Sequence, residues 1–430
     1  MLLTDEEQRM LQGEEGPAVQ AAMDLLVRYG EVLGAGRLVE TDNVCGANIV
    51  NPRQARVLPP GASMNRLFAE HSLDAAGEFE IPRVRAHSCQ LIGPMDTVEW
   101  ERQGVPEPAH ELMLASEEYI GGHGIQLMNT CTPYQVGIVP ERGEHCAWME
   151  SSAVVYINSV LGARTNTEGR ESAAAAMLTG RIPYWGYHLD ANRHGTHLID
   201  ARARVADMTD WGMLGYFVGG ALGDEGSPVV TGPGLAAGTA TLEHLKHFGA
   251  ATATSGGVEL YHIPGVTAEA ATVAEAFGPN EPAEVFTYGD AERAAVFESL
   301  SSTATDTHVD LVMIGCPHAT LAQIREVCEL LEGRKVHAET ELWVFTPRTI
   351  RAVAEREGLG DKLRAAGAVL MSDTCPAIGR FVPRGTRVIA TDSAKQAHYL
   401  PAIMDVQGWF GWLSDCVDAA VTGTWRGALR

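Results

Sequence analysis

The chain has 430 residues, 45% hydrophobic and 20% charged, with a formal net charge of −23. That length is too great for one small core and implies two or three lobes. The acidic excess argues against nucleic acid or an anionic membrane surface as partner, since both need a basic patch, but it leaves room for a small anion held by a few convergent cations.

Residues 1–7 show no basic segment leading into an apolar run, and no stretch of about 18 apolar residues occurs, so neither a signal peptide nor a membrane span is expected. The eight cysteines lack small-scaffold spacing and read as reduced cytoplasmic thiols, free to bind metal.

In chain order, Thr4 followed by Glu6 and Glu7 predicts a capped helix, and residues 18–29 have helical apolar spacing. Residues 38–104 are irregular, with short strand-like pieces. Residues 124–130 read as a buried strand, 150–161 and 171–179 as helices, 184–192 as a loop, 197–206 as a strand and 214–222 as a helix. The last third alternates more regularly. Strands are predicted at 309–314, 341–345, 368–371 and 386–390, with helices at 320–331, 348–356 and 394–400. Short β-rich runs alternating with helices indicate an α/β fold with a parallel sheet.

In open parallel sheets, ligands bind beyond the carboxyl ends of the strands. That rule sorts the cysteines. Cys131, Cys316 and Cys375 each follow a predicted strand and lie beside a proline-containing loop. Cys328 and Cys416 lie inside helices, where cysteine acts as a small apolar residue. Cys146 could serve either way, and Cys45 and Cys89, after strand-like runs, stand in reserve. Three thiolates leave a soft metal with an open coordination position that can act as a Lewis acid, whereas a fourth ligand closes it.

Other groups are less specific. In Asn158 to Asn166, Arg164 could clamp a carboxylate with help from Thr165 and Asn166, or could simply be a solvated surface arginine. Thr391-Asp392-Ser393-Ala394-Lys395 combines a helix start with a cation, either an anion site or ordinary capping. His318 and His145 are the histidines placed best for chemistry. Glu150, before Ser151 and Ser152, could be a base, an orienter or a helix cap. The glycine-rich runs match no nucleotide-binding pattern.

Several of these motifs resemble aconitase X. The resemblance rests on Cys131-Thr132-Pro133-Tyr134, Ala147 to Val154, Asn158 to Asn166 and Gly186-Tyr187-His188. It continues in Gly315-Cys316-Pro317-His318-Ala319, Ser372-Asp373-Thr374-Cys375-Pro376 and Ser393-Ala394-Lys395, so it runs with gaps from about residue 124 to about 400. It implies a multi-lobed aconitase-like body and iron, mononuclear or in an iron–sulfur cluster, on Cys131, Cys316 and Cys375. It also implies dehydration of a small hydroxy acid such as cis-3-hydroxy-L-proline or mevalonate 5-phosphate. A swivelling domain, fused or on a separate small subunit, then closes the site and handles protons.

The expected organisation is an N-terminal region over 1–245, with an unfamiliar substrate-selecting segment at about 40–115, and a C-terminal α/β lobe over 246–430. The swivel domain is expected on a separate subunit. The expected catalytic residues are Glu150, His318 and Lys395. Ser151, Ser152, Asn158, Arg164, Thr165, Asn166, Ser393 and Lys395 are expected to bind substrate, with cis-3-hydroxy-L-proline first and a phosphorylated hydroxy acid second. A non-catalytic metal or redox subunit, with Cys45 or Cys89 as fourth ligand, is the rival reading.

Overall fold

The computed structural model describes residues 1–47, 63–223, 226–236 and 238–430. It opens with helices α1 (Asp5–Leu11) and α2 (Pro17–Val32). The expected cap forms reciprocally: Glu7 N donates to Thr4 Oγ1 at 3.3 Å, and Thr4 N donates to Glu7 Oε2 at 2.8 Å.

Strands β1 (Leu38–Glu40) and β2 (Asn43–Ala47), helix α3 (Met64–Ser72), β3 (His87–Leu91), helix α4 (Glu107–Gly122) and β4 (Gln126–Thr130) follow. Next come β5 (Ala147–Trp148), helix α5 (Ser151–Tyr156), helix α6 (Arg170–Thr179) and β6 (Arg181–Pro183). β1 and β6 form an antiparallel ribbon, while β4-β3-β2-β5 form a parallel sheet.

The middle of the chain holds β7 (His197–Ala201), α7 (Met208–Leu222), β8 (Pro228–Thr231), α8 (Leu242–Gly256), α9 (Val273–Phe277), β9 (Val285–Tyr288) and α10 (Asp290–Leu300). Its strands pair in parallel as β8-β7-β9. Helices α7 and α8 approach closely because Gly219 and Gly256 face each other; a Cβ on Gly256 would collide with the Gly219 carbonyl.

The last third holds β10 (Leu311–Ile314), α11 (Leu321–Leu330), β11 (Glu341–Thr346), α12 (Arg348–Arg356), α13 (Leu359–Ala366), β12 (Val369–Ser372) and α14 (Pro376–Gly379). It ends with β13 (Val388–Thr391), α15 (Ala394–Met404), β14 (Gln407–Phe410) and α16 (Leu413–Thr422). Its sheet runs β12-β11-β10-β13-β14, all parallel. Burial of every residue in β10, β12 and β13 explains their continuous apolar runs: helices cover both faces.

Three departures from the sequence reading matter. The strand expected at 197–206 stops at Ala201. The helix expected at 150–161 ends as a single π turn over Ile157–Leu161. The division expected at 245/246 falls inside α8. The unfamiliar segment at about 40–115 supplies the central strands β2 and β3; residues 48–62 within it lie outside the described residues.

Candidate active site

Five parallel strands deliver the site from their carboxyl ends. Cys131 directly follows β4, Glu150 lies just past β5, Cys316 just past β10, Cys375 just past β12 and Ser393 just past β13. Two sheets therefore contribute to one place, as the strand-end rule expects. Gly315, with φ +97, makes the sharp exit from β10, where a Cβ would strike the Phe345 carbonyl.

The three thiols are electrostatic neighbours. Burial pushes the Cys131 thiol well up, and the charges of Glu150, Cys316 and Cys375 push it further. Burial and then Cys375 push Cys316 up to about 12, against the opposing pull of Lys395 and Ser393. Cys375 is raised mainly by burial.

Polar groups beside the sulfurs oppose these rises. His318 N donates to Cys131 Sγ at 3.3 Å, the Ser393 side chain reaches Cys316, and the amides of Ala377 and Ile378 reach Cys375. Three free thiols form a set that an iron centre would take as thiolates, and the bond from His318 N favours that charged form at Cys131. Among the described residues, no three His, Cys, Asp or Glu side chains gather closely enough to hold one metal ion.

Lys395 supplies the positive charge. Its Nζ donates to Glu150 Oε1 at 2.7 Å, Ser151 Oγ at 3.2 Å and Ser152 Oγ at 3.3 Å. Glu150 is also the cap of α5: its Oε2 accepts from Ala153 N at 2.8 Å and Ser152 Oγ at 2.6 Å. Of the three sequence readings of Glu150, the structure shows the helix cap on one oxygen and a bond to Lys395 on the other. Ser393 caps α15 through Gln396 N at 3.2 Å.

His318 sits between all three cysteine loops. Its Nδ1 meets Thr130 Oγ1 at 2.9 Å and its Nε2 meets the Thr374 carbonyl at 3.1 Å. Both ring nitrogens are engaged and the residue is 1% exposed, so the geometry shows His318 as a tie between two of the loops.

Asn158, Arg164, Thr165 and Asn166 are all engaged with protein partners. Asn158 donates to the carbonyls of Thr165 and Glu259 and accepts from Thr165 N. Thr165 Oγ1 accepts from Trp148 N, and Asn166 bonds Trp185 and Tyr187. Arg164 pairs with Asp190, donates to the His188 carbonyl at 3.2 Å and lies in register with His145, before β5, whereas Glu150 lies beyond it. Five residues of extended chain separate those levels by about 16 Å at the usual rise. These buried amides and hydroxyls are consumed in holding β5 and the loop beside it. Sequence adjacency grouped Arg164 with the site; strand direction sets its backbone at the opposite end of β5.

Cys45 and Cys89 are a further correction. They lie within β2 and β3 rather than after them, in register, with sulfurs 2.7 Å apart. They form a mutually facing buried pair. Cys146, Cys328 and Cys416 are buried packing residues, the last two in one apolar cluster.

Two residues were missed in the sequence. Lys246, on α8 and 2% exposed, donates to the His318 carbonyl at 2.8 Å and Gln323 Oε1 at 2.7 Å, beneath the Cys316 loop. Burial lowers it to about 8, opposed by Cys131 first among its charged neighbours. A lone lysine beside the apolar run Phe248 to Thr254 was its only signal. Tyr134 stacks on Tyr156 with ring centres 3.9 Å apart. Among the described residues its buried hydroxyl has no hydrogen-bond partner, and Cys131 and Glu150 are among the charges acting on it.

Known proteins give the same outline. The first, second and third domains of aconitase X match residues 1–191, 195–298 and 309–422. The phosphomevalonate dehydratase large subunit of Methanocaldococcus jannaschii is 35% identical over 416 residues, covering 96% of this chain and 98% of that protein. The cis-3-hydroxy-L-proline dehydratase of Hypocrea jecorina is 34% identical, covering 98% of this chain but 69% of that protein. The crystal structure of Thermococcus kodakaraensis aconitase X in its holo form superposes with a TM-score of 0.81 at 31% identity, covering 98% of this chain and 100% of that one. The chain belongs to the aconitase X family, and like its named relatives it is a hydro-lyase, a carbon–oxygen lyase.

Proposed function

We propose that this chain is the metal-bearing large subunit of a two-subunit dehydratase acting on a small hydroxy acid. The observation that carries the reading is the meeting of Cys131, Cys316 and Cys375 with the Lys395–Glu150 pair at strand carboxyl ends. The two-subunit assignment is supported by near-full coverage of proteins named as large subunits.

Cys131, Cys316 and Cys375 would hold iron. Family membership supports an iron–sulfur cluster as the form of that iron. When bound, such a centre supplies a Lewis acid that polarises the leaving hydroxyl. Lys395, Ser151, Ser152 and Ser393 orient the substrate carboxylate, and the free Tyr134 hydroxyl offers one more donor. Glu150 holds the Lys395 ammonium in place as a carboxylate; once protonated, with that ion pair opened, it delivers the proton to the departing oxygen. The base that removes the carbon-bound proton comes from a small swivel-domain subunit.

Cis-3-hydroxy-L-proline is the first substrate reading. Lys395 is already matched by Glu150, which suits a substrate carrying one carboxylate and its own ammonium better than a phosphate dianion. Mevalonate 5-phosphate is the second, favoured by the full-length likeness to phosphomevalonate dehydratase large subunits. Eight free thiols fit a reducing compartment such as the cytoplasm. Among the described residues, no helix is long and apolar enough to cross a membrane.

The test is anaerobic co-expression with the small subunit, iron and labile-sulfide analysis, and a dehydration assay on both substrates. Turnover is expected only with both subunits; turnover by this chain alone overturns the two-subunit reading. Cys131→Ala, Cys316→Ala and Cys375→Ala should each lose iron. Full iron in all three overturns the metal site.

A further inference from the structure

Two of the three cysteine loops are built alike. Asn129-Thr130-Cys131 leaves β4 and Asp373-Thr374-Cys375 leaves β12. In each, the residue two places before the cysteine adopts a left-handed backbone without being glycine: φ is 43 at Asn129 and 67 at Asp373. Such a conformation costs about 1 kcal/mol or more and persists only where surrounding bonds impose it. Both residues are buried, at 0% and 2% exposure.

The bonds that impose it form one chain between the loops. Asn129 Nδ2 donates to Glu117 Oε1 on α4. The same oxygen accepts from Arg348 Nη2 at 3.0 Å. Arg348, the first residue of α12, then grips Asp373 twice: Nε donates to Oδ2 at 2.8 Å and the backbone N–H to Oδ1 at 3.0 Å. Glu117 and Asn129 lie within the stretch matched by the first aconitase X domain, and Arg348 and Asp373 within the third. One guanidinium thus joins two domains at the roots of two cysteine loops.

We propose that Arg348, with Glu117, is a positioning residue that sets the separation of Cys131 and Cys375 and so fixes the hold on the metal centre. The proposal rests on the reading that these cysteines bind iron. His318 ties the tips of the loops through Thr130 and Thr374, while the Arg348 clasp fixes their bases. The planar guanidinium suits this position, because its fork reaches Glu117 and Asp373 at fixed angles, which the point charge of lysine does not.

The experiment compares wild type, Arg348→Gln, Arg348→Lys, Glu117→Ala and Cys375→Ala as anaerobically purified full chains. Three quantities are read: iron per chain, the rate of iron loss to a colorimetric chelator, and the visible spectrum per bound iron. Apo-protein melting is followed in parallel. Arg348→Gln and Glu117→Ala should release iron about 10–100-fold faster than wild type, with an altered spectrum. Arg348→Lys, which keeps the charge and the backbone bond, should fall between and guards against a misfolded glutamine variant. Wild-type release rate and spectrum in Arg348→Lys and Glu117→Ala, with only the melting temperature lowered, overturn the clasp while Cys375→Ala remains iron-poor. Full iron in Cys375→Ala instead overturns the metal reading on which the proposal stands.

Discussion

Glu150 and Lys395 meet at 2.7 Å although 245 residues separate them in the chain. Each stands just beyond a parallel strand, one in the four-stranded and one in the five-stranded sheet. The pair is mostly shielded, with side chains 14% and 17% exposed, so its attraction is stronger than that of a surface pair.

This relation gives the first prediction. Glu150→Gln preserves an acceptor for the α5 cap but removes the charge and the transferable proton. In the two-subunit enzyme, kcat should fall by about 10²–10⁴-fold while iron content stays at the wild-type level. Iron loss in proportion to activity would reduce Glu150 to a supporting role. Lys395→Met should raise KM as well, since the same ammonium is assigned to the carboxylate.

His318 should behave as a tie between loops. His318→Ala removes partners from Thr130 and the Thr374 carbonyl, at about 1–3 kcal/mol for each buried group left unpaired. Lower thermal stability and faster iron loss are expected together. A His318→Gln protein with normal melting and normal iron but depressed kcat would restore the proton-transfer role that the sequence pointed to.

Arg164 should matter to stability rather than to substrate affinity. Its carboxylate partner Asp190 is 80% exposed, so Arg164→Met should cost no more than about 1 kcal/mol and leave KM unchanged. Asn158→Ala should cost more, because it leaves Thr165 and Glu259 backbone groups unpaired in a buried loop. A large rise in KM for Arg164→Met with unchanged melting would return the arginine to the substrate.

Glu168 predicts a pH dependence of stability. Burial raises its carboxyl from 4.5 to about 7, against the opposing Ser172 bond, and its Oε1 has no partner. A carboxyl raised on folding contributes stability that is complete below 4.5 and is lost as pH climbs through about 7. Glu168→Gln should therefore flatten the fall in melting temperature across that window. An unchanged slope would show that Glu168 is charged in the folded protein.

Much of this was legible in the sequence because it depends on local order. Strands β10 to β13 are short apolar runs closed by Gly, Pro, Ser or Thr, and a cysteine just past such a run must lie at a strand end whatever the tertiary packing. That is why Cys131, Cys316 and Cys375 could be chosen, and why the capping of α1 by Thr4 was readable. Family resemblance then supplied the chemistry, dehydration with an iron centre.

Contacts distant in sequence were another matter. Position along the chain put Arg164 beside Glu150, yet the parallel pairing of residues 164–167 with 145–148 carries it to the other end of β5. Cys45 and Cys89 read as strand-end residues because residues 38–104 show no clean period; only register across β2 and β3 turns them toward each other. Lys246 and Arg348 gave little local signal, since a buried cation is defined by acceptors that arrive from elsewhere: His318 and Gln323 for one, Glu117 and Asp373 for the other. Local pattern fixed which thiols could reach a strand end, and three-dimensional packing decided which charges and hydrogen bonds meet them there.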